Sequence, residues 1–149
     1  MARHRPRGRG IPIVSGEWGY TTADLTEEMQ ADYIVRQQIF DRALGLPFSI
    51  WYDWKDDGPD PKEREHRFGT VRMDLEPKPA YEALKAAAGE LGGYRPVGRF
   101  DLGDPKAYAV LFDDAAGRSK IAAWSIDGKR RAALLDAALD TRPAILDAD

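Results

Sequence analysis

Two apolar strand-like segments joined by one uninterrupted helical segment constrain the fold of this chain more than any other feature. The first segment, residues 11–14, is a short apolar run, which predicts a buried strand. Thr26 then precedes Glu27 and Glu28, a pattern typical of an N-cap followed by an acidic first turn. We therefore predict a helix from this point to about Leu44.

The helix is predicted to end at Gly45, because glycine adopts the left-handed cap and Pro47 cannot continue the helix. Residues 48–54 are rich in aromatic and β-branched side chains, which indicates a second strand. Strand, helix and strand with short connections predict a βαβ unit with parallel strands. Alternate residues of the second strand are expected on opposite faces of the sheet. The face expected to pack under helices carries Phe48, Ile50 and Tyr52. The opposite face carries Ser49, Trp51 and Asp53.

Glu17 follows the first apolar run and is surrounded by glycines and aromatic residues. Active sites of barrel and open α/β folds lie at the carboxyl edge of the parallel strands. Because both predicted strands run in the same direction, Glu17 and Trp51 are expected at one rim of the sheet. The alternatives are an ordinary loop carboxylate for Glu17 and a core aromatic for Trp51.

Residues 55–67 form a long polar loop after the second strand. Part of a calcium-loop pattern is present, but Lys55 stands where a ligand oxygen is needed and Arg64 where the closing glutamate belongs. We therefore discount calcium. Long loops at the active edge of a sheet often cover a substrate cleft, and we expect that here. Its other polar residues are read as solvated: Asp56, Asp57, Asp60 and His66.

The second half of the chain changes pattern. A second helix is predicted from Lys78-Pro79 to Leu91, with Gly92-Gly93 as its stop. Three strand-like segments separated by turns then predict a small antiparallel β module. We expect a connector at 1–10, an α/β unit at 11–93 and the β module at 94–149. Its strands are predicted at 97–102, 108–112 and 121–126, with weaker candidates at 132–135 and 144–146.

Composition excludes several classes of function. The chain has 149 residues with 43% hydrophobic and 32% charged residues, which is typical of a globular protein. A net charge of −3 gives no general attraction to nucleic acid or anionic membranes, and no apolar run has the length of a membrane span. With no cysteine and two histidines, we expect no metal and no cofactor. Residues 1–10 are too polar for a signal peptide, and the compartment stays open.

Four stretches taken together resemble the end of a clan A retaining glycoside hydrolase. They are PIVSGEWGY (12–20), SIWYDWKDDG (49–58), FGTV (68–71) and PKPAY (77–81). The cellulase-like and family 39-like members are the most similar. The resemblance covers residues 12–91 and implies the last two βα units of a TIM (β/α)8 barrel. The tail resembles the start of the β-sandwich subdomain that often follows such barrels.

The resemblance implies roles for particular residues. Glu17 matches the catalytic nucleophile, and Trp51 matches the tryptophan that forms a floor under the sugar. A retaining glycosidase needs an ionised carboxylate to attack the anomeric carbon, and tryptophan packs on the C–H faces of sugars. Further candidates for sugar contact are Trp18, Tyr20, Trp54 and Asp57. The alternative for the three aromatic residues is that they pack at the rim without contacting sugar. The alternative for Asp57 is that it belongs to a solvated loop.

The resemblance is also incomplete. The acid/base glutamate of such enzymes lies on the fourth strand, and nothing upstream of Glu17 is long enough to contain it. A complete barrel takes about 250 residues. We therefore expect a fragment of an enzyme that cleaves O-glycosidic bonds in oligo- or polysaccharides, inactive alone, with a carbohydrate substrate and the N-terminal part of the barrel as partners. A non-catalytic carbohydrate-binding module and a protein-interaction fragment are the alternatives.

Overall fold

The computed structural model describes residues 11–127, and its first feature is the predicted βαβ unit. Strand β1 (Ser15–Trp18) and strand β2 (Ser49–Trp51) pair in parallel, and helix α1 (Glu27–Ala43) connects them. The predicted parallel pair is therefore confirmed. The first strand lies later than expected: residues 11–14 have no regular secondary structure and Ile13 is 52% exposed, so the predicted buried strand at 11–14 is wrong.

Helix α1 begins and ends where its capping residues predict. The Thr26 side chain accepts a hydrogen bond of 3.2 Å from the Met29 amide, and Gly45 follows the helix with a φ of 70°. The expected apolar stripe is only partly right, because Ile34 is buried whereas Phe40 and Leu44 are exposed. The buried face of the helix consists of Gln30, Ala31, Ile34 and Ile39.

Helix α2 (Pro79–Leu91) starts with proline, as predicted, and packs beside α1. Ala31 and Ile34 of α1 contact Ala80 of α2 in a buried cluster. The ring of Trp51 packs against the same cluster, so β2 is joined to both helices.

The outward face of β2 differs from the prediction. Phe48 and Ile50 are 53% and 50% exposed, whereas Ser49 and Trp51 are partly buried. The expected assignment of Phe48 and Ile50 to the helix side is therefore wrong. Successive side chains of a strand point to opposite faces, and the large Trp51 ring fills the space against the helices.

The predicted antiparallel module is present as strands β3 (Arg95–Arg99), β4 (Ala107–Asp113) and β5 (Ser119–Ser125) in that order. Val110 and Phe112 of β4 are buried together with Ile39 of α1 and Leu91 of α2. The sheet and the two helices therefore share one apolar cluster. The expected division at 93/94 stays a prediction.

Three predicted segments, 1–10, 132–135 and 144–146, lie outside the described residues. Across residues 11–127, neither helix combines the length and apolar character that crossing a membrane requires. The described chain is thus a mixed α/β structure with two small sheets and two helices.

Candidate functional site

A pocket of about 350 Å³ opens where β1 and β2 end. This volume lies near the lower end of the range for small-molecule sites, which suits one sugar-sized ring. The pocket combines two carboxylates with four aromatic rings and one glycine. Its lining residues are Glu17, Trp18, Gly19, Tyr20, Tyr52, Glu65 and Phe68.

The floor of the pocket is formed where the chain leaves the two parallel strands. The Tyr52 amide donates a 2.6 Å hydrogen bond to the Trp18 carbonyl, which holds the two strand ends together. At Gly19 an added Cβ would lie 1.8 Å from the Tyr52 carbonyl oxygen. Any side chain at position 19 would therefore push the strand ends apart.

The long loop also contributes to the pocket and contains a short 3₁₀ helix (Arg64–Arg67). The Thr21 hydroxyl donates to the Arg64 carbonyl at 2.8 Å, and the Thr22 amide donates to the Arg67 carbonyl at 3.0 Å. These bonds tie the loop to the segment that follows β1. They bring Glu65 to the pocket, as expected for a loop beside a cleft.

Gln30 connects helix α1 to the backbone of the residues that line the pocket. Its fully buried side-chain amide donates to the Tyr20 carbonyl at 2.8 Å and to the Phe68 carbonyl at 3.2 Å. One side chain therefore fixes the backbone on two sides of the pocket. The sequence pattern did not indicate this role, because glutamine in a helix is usually a surface residue.

Aromatic contacts support the walls. The Tyr20 ring lies 4.6 Å from the Tyr33 ring and 6.1 Å from the Trp51 ring, measured between centroids. Two further lining residues, Tyr52 and Phe68, have rings that meet edge to face with centroids 5.3 Å apart. Trp51 therefore contacts Tyr20, a residue of the pocket, but does not itself line the pocket.

The Tyr52 hydroxyl donates a long hydrogen bond of 3.4 Å to a carboxylate oxygen of Glu65. Desolvation raises the pKa of the Tyr52 phenol, and the negative charge of Glu65 raises it further. The phenol is therefore protonated at neutral pH and is a hydrogen-bond donor. The carboxylate of Glu17 is exposed at the pocket.

A buried ion pair lies in the same loop region. The Lys78 ammonium is 2.6 Å from Oδ1 of Asp56, and both side chains are fully buried. The Gly69 amide donates to the same oxygen at 3.0 Å, and the Arg67 guanidinium lies 3.3 Å from the other. The expectation of a solvated Asp56 is therefore wrong, because the following loop and the start of α2 fold over it.

Burial has an electrostatic consequence for Lys78. Desolvation lowers the pKa of its ammonium group, and the hydrogen bond to Asp56 opposes that change. Asp56 thus compensates part of the cost of burying a cation.

The structure brings together half of the residues predicted for the site. Glu17, Trp18 and Tyr20 line the pocket, whereas Trp51, Trp54 and Asp57 do not. Trp54 is exposed and meets Tyr81 edge-on at 6.0 Å between centroids, and Asp57 is exposed in the loop. Their roles in sugar binding stay predictions.

Three lining side chains were absent from the predicted set: Tyr52, Glu65 and Phe68. Tyr52 directly follows the strand residue Trp51, so a one-residue shift of the expected face would have identified it. Glu65 has no local sequence signal, since it belongs to a run of charged residues. No group of three or more potential metal ligands occurs within residues 11–127.

Comparison with solved structures gives an informative similarity in fold. No protein-family model and no curated protein matches this sequence. Among solved structures, the fold is similar to a family 39 glycoside hydrolase from the gut symbiont Bacteroides cellulosilyticus WH2, with a TM-score of 0.73 and 27% sequence identity. The match covers 82% of this chain and 25% of that chain, so this chain spans about a quarter of its structural neighbour. A family 39-like relationship is thereby supported at the level of fold.

Proposed function

We propose that this chain is part of a retaining glycoside hydrolase and supplies its nucleophile, Glu17. The observation that carries the proposal is the position of Glu17 in an aromatic pocket at the end of two parallel strands. Similarity in fold to a glycoside hydrolase supports the same reading. The bonds to be cleaved are O-glycosidic bonds of oligo- or polysaccharides.

The side chains of the pocket suit this chemistry. Sugar rings pack their C–H faces on aromatic rings, and their hydroxyl groups bond to carboxylates. In the proposed mechanism Glu17 attacks the anomeric carbon and forms a covalent glycosyl-enzyme, while an acid about 5–5.5 Å away protonates the leaving oxygen. The resemblance implies Trp51 as the sugar platform; because Tyr52 lines the pocket and Trp51 does not, we assign this role to Tyr52, and Trp51 supports the Tyr20 ring.

The proposed enzyme needs further polypeptide. In our proposal six additional βα units complete a (β/α)8 barrel with β1 and β2 and bring the acid/base glutamate. The exposed apolar residues beside the two strands support this arrangement, because they suit burial against neighbouring strands. These residues are Ile11, Ile13, Val14, Phe48 and Ile50.

The test of Glu17 uses the assembled enzyme. Glu17→Ala is expected to abolish hydrolysis, and azide is expected to restore turnover by entering the space left by the carboxylate. The azide product should have inverted configuration, since only one displacement then occurs. Full activity in folded Glu17→Ala would end the assignment, and Glu28→Ala on α1 is the control.

The exposed apolar residues also favour a second candidate, a non-catalytic fragment that binds a protein partner. A related alternative is a carbohydrate-binding module. It predicts sugar binding that is unchanged by Glu17→Gln, whereas a protein-interaction fragment predicts association without sugar binding. Titration of the chain with simple sugars separates these alternatives.

A further inference from the structure

Glu65 is a pocket carboxylate to which the proposed nucleophile mechanism gives no role. It lines the same pocket as Glu17 although the two residues are 48 positions apart in the chain. The loop that carries Glu65 is fixed by bonds from Thr21 and Thr22 to the carbonyls of Arg64 and Arg67. The backbone on both sides of Glu65 is therefore held in place, and its side chain is exposed at the pocket.

The carboxylate of Glu65 retains capacity to accept hydrogen bonds. Within the described part of the chain, the Tyr52 hydroxyl is the side-chain donor that reaches it, at 3.4 Å. A carboxylate has about four lone-pair positions, and one long bond uses little of this capacity. Sugar hydroxyl groups are donors of the kind that the remaining positions accept.

The basic residues beside Glu65 contact residues that do not line the pocket. The Arg64 guanidinium pairs with Asp24 at 2.9 Å, and Arg67 lies 3.3 Å from buried Asp56. The His66 ring packs over Gly58, where an added Cβ would lie 2.5 Å from the ring. None of the seven lining residues is Lys, Arg or His, so two carboxylates determine the charge of the pocket.

From this arrangement we propose that Glu65 determines the substrate class: it bonds sugar hydroxyl groups and excludes sugars that carry a carboxylate. The inference rests on the proposed function, since it assigns the class of sugar that the same pocket binds. Neutral glycosides fit two carboxylates among aromatic rings. A uronic acid would place a third negative charge beside them, where like charges repel.

The experiment is a ¹H–¹⁵N chemical-shift titration of the 149-residue chain. The probes are two matched pairs, D-glucose with D-glucuronate and D-galactose with D-galacturonate. At least one neutral sugar is expected to shift the amides of Trp18, Gly19 and Tyr20, and its uronate partner to bind at least tenfold more weakly. Glu65→Gln is expected to reduce this preference at least threefold, and Glu76→Gln, an exposed control outside the pocket, to leave it unchanged.

The outcomes separate the two proposals. A uronate that binds as tightly as its neutral partner, or a preference unchanged in Glu65→Gln, overturns the role of Glu65 and leaves the sugar pocket intact. Absence of shifts with all four sugars overturns both the role of Glu65 and sugar binding by this pocket. A wild-type-like spectrum of Glu65→Gln outside the pocket verifies that the variant is folded.

Discussion

At the scale of single residues, Asp56 and Lys78 form an ion pair in which both side chains are fully buried. Breaking a buried ion pair by removing one partner typically costs about 3–5 kcal/mol, and Arg67, which stays 3.3 Å from Asp56 when Lys78 is replaced, places Lys78→Met at the lower end of this range. We expect Lys78→Met to lower the free energy of unfolding by about this amount, as measured by urea denaturation. Lys85→Met, at an exposed position of α2, is the control and should change stability by about 0.5 kcal/mol or less. A change below about 1 kcal/mol in Lys78→Met would contradict this account.

Gly19 is the residue whose size the pocket tolerates least. An added methyl group would meet the Tyr52 carbonyl oxygen at 1.8 Å and Phe68 at 3.2 Å. We expect Gly19→Ala to destabilise the protein by about 1–3 kcal/mol through overpacking, and to shift the NMR signals of Trp18 and Tyr52. The matched change Gly89→Ala meets no atom within 4 Å and lies inside α2. It should instead stabilise by about 0.5–1 kcal/mol, and equal effects of the two changes would exclude the steric explanation.

The individual residues also show where sequence reasoning ends. Glu17, Trp18 and Tyr20 lie at the end of β1 and line the pocket, and the direction of this strand follows from the predicted βαβ order, whereas their roles in sugar binding stay predictions. Asp56 was read as solvated, since its burial depends on Lys78, which lies 22 residues away. Non-local pairing of this kind leaves no periodic pattern along the chain.

At the scale of elements, an ion pair between the first turn of α1 and the segment before α2 makes the folding stability depend on pH. Arg72 donates two hydrogen bonds to Glu27, at 2.5 and 2.9 Å. The hydrogen bond and charge of Arg72 lower the pKa of Glu27 below its ordinary value of 4.5. Folding therefore favours the ionised carboxylate, and the stabilisation is present above that value and lost as the pH falls through the folded pKa.

We expect the free energy of unfolding to fall as the pH drops below about 4.5, and Glu27→Gln to make this fall shallower. The measurement is urea denaturation at a series of pH values. Glu28→Gln is the matched control, because the neighbouring carboxylate is exposed on the same turn. If the free energy of unfolding falls equally steeply with decreasing pH in Glu27→Gln and in the wild type, the pair of Glu27 and Arg72 makes no contribution to this pH dependence.

Element positions were more predictable than element faces. Thr26, Gly45 and Pro79 have local capping preferences, so the ends of α1 and the start of α2 follow from the sequence. The face of β2 was assigned incorrectly, because Phe48 and Trp51 are both large aromatic residues. Composition alone does not distinguish which of them packs against the helices.

At the scale of the whole molecule, the proposed function implies that the isolated chain lacks glycosidase activity. General acid catalysis typically contributes about 10²–10⁴-fold, and the proposed acid lies on additional polypeptide. We expect no release of nitrophenol from nitrophenyl glycosides by the purified chain. Turnover that disappears in Glu17→Ala would contradict this expectation, because that variant controls for contaminating enzymes.

The whole molecule also presents an incompletely covered sheet. Strands β1 and β2 form a two-stranded sheet, so within residues 11–127 each has an unpaired edge. Unpaired strand edges and exposed apolar strand surfaces favour association. Phe48 and Ile50 are about half exposed at this surface, next to the apolar residues that precede β1.

We therefore expect the isolated chain to self-associate through this surface, with a mass that rises above 16.6 kDa as concentration increases. Ile50→Lys should restore the monomer, since a charged side chain opposes burial of the sheet, while its exposure keeps the change in folding stability small. Ile126→Lys is the control, because Ile126 is similarly exposed but follows β5 in the other sheet. Sedimentation velocity over a concentration series measures the mass. Two results would contradict this prediction. The first is a wild-type chain that stays monomeric at all concentrations. The second is association that persists in Ile50→Lys and disappears in Ile126→Lys, because the β1–β2 surface would then not be the site of self-association.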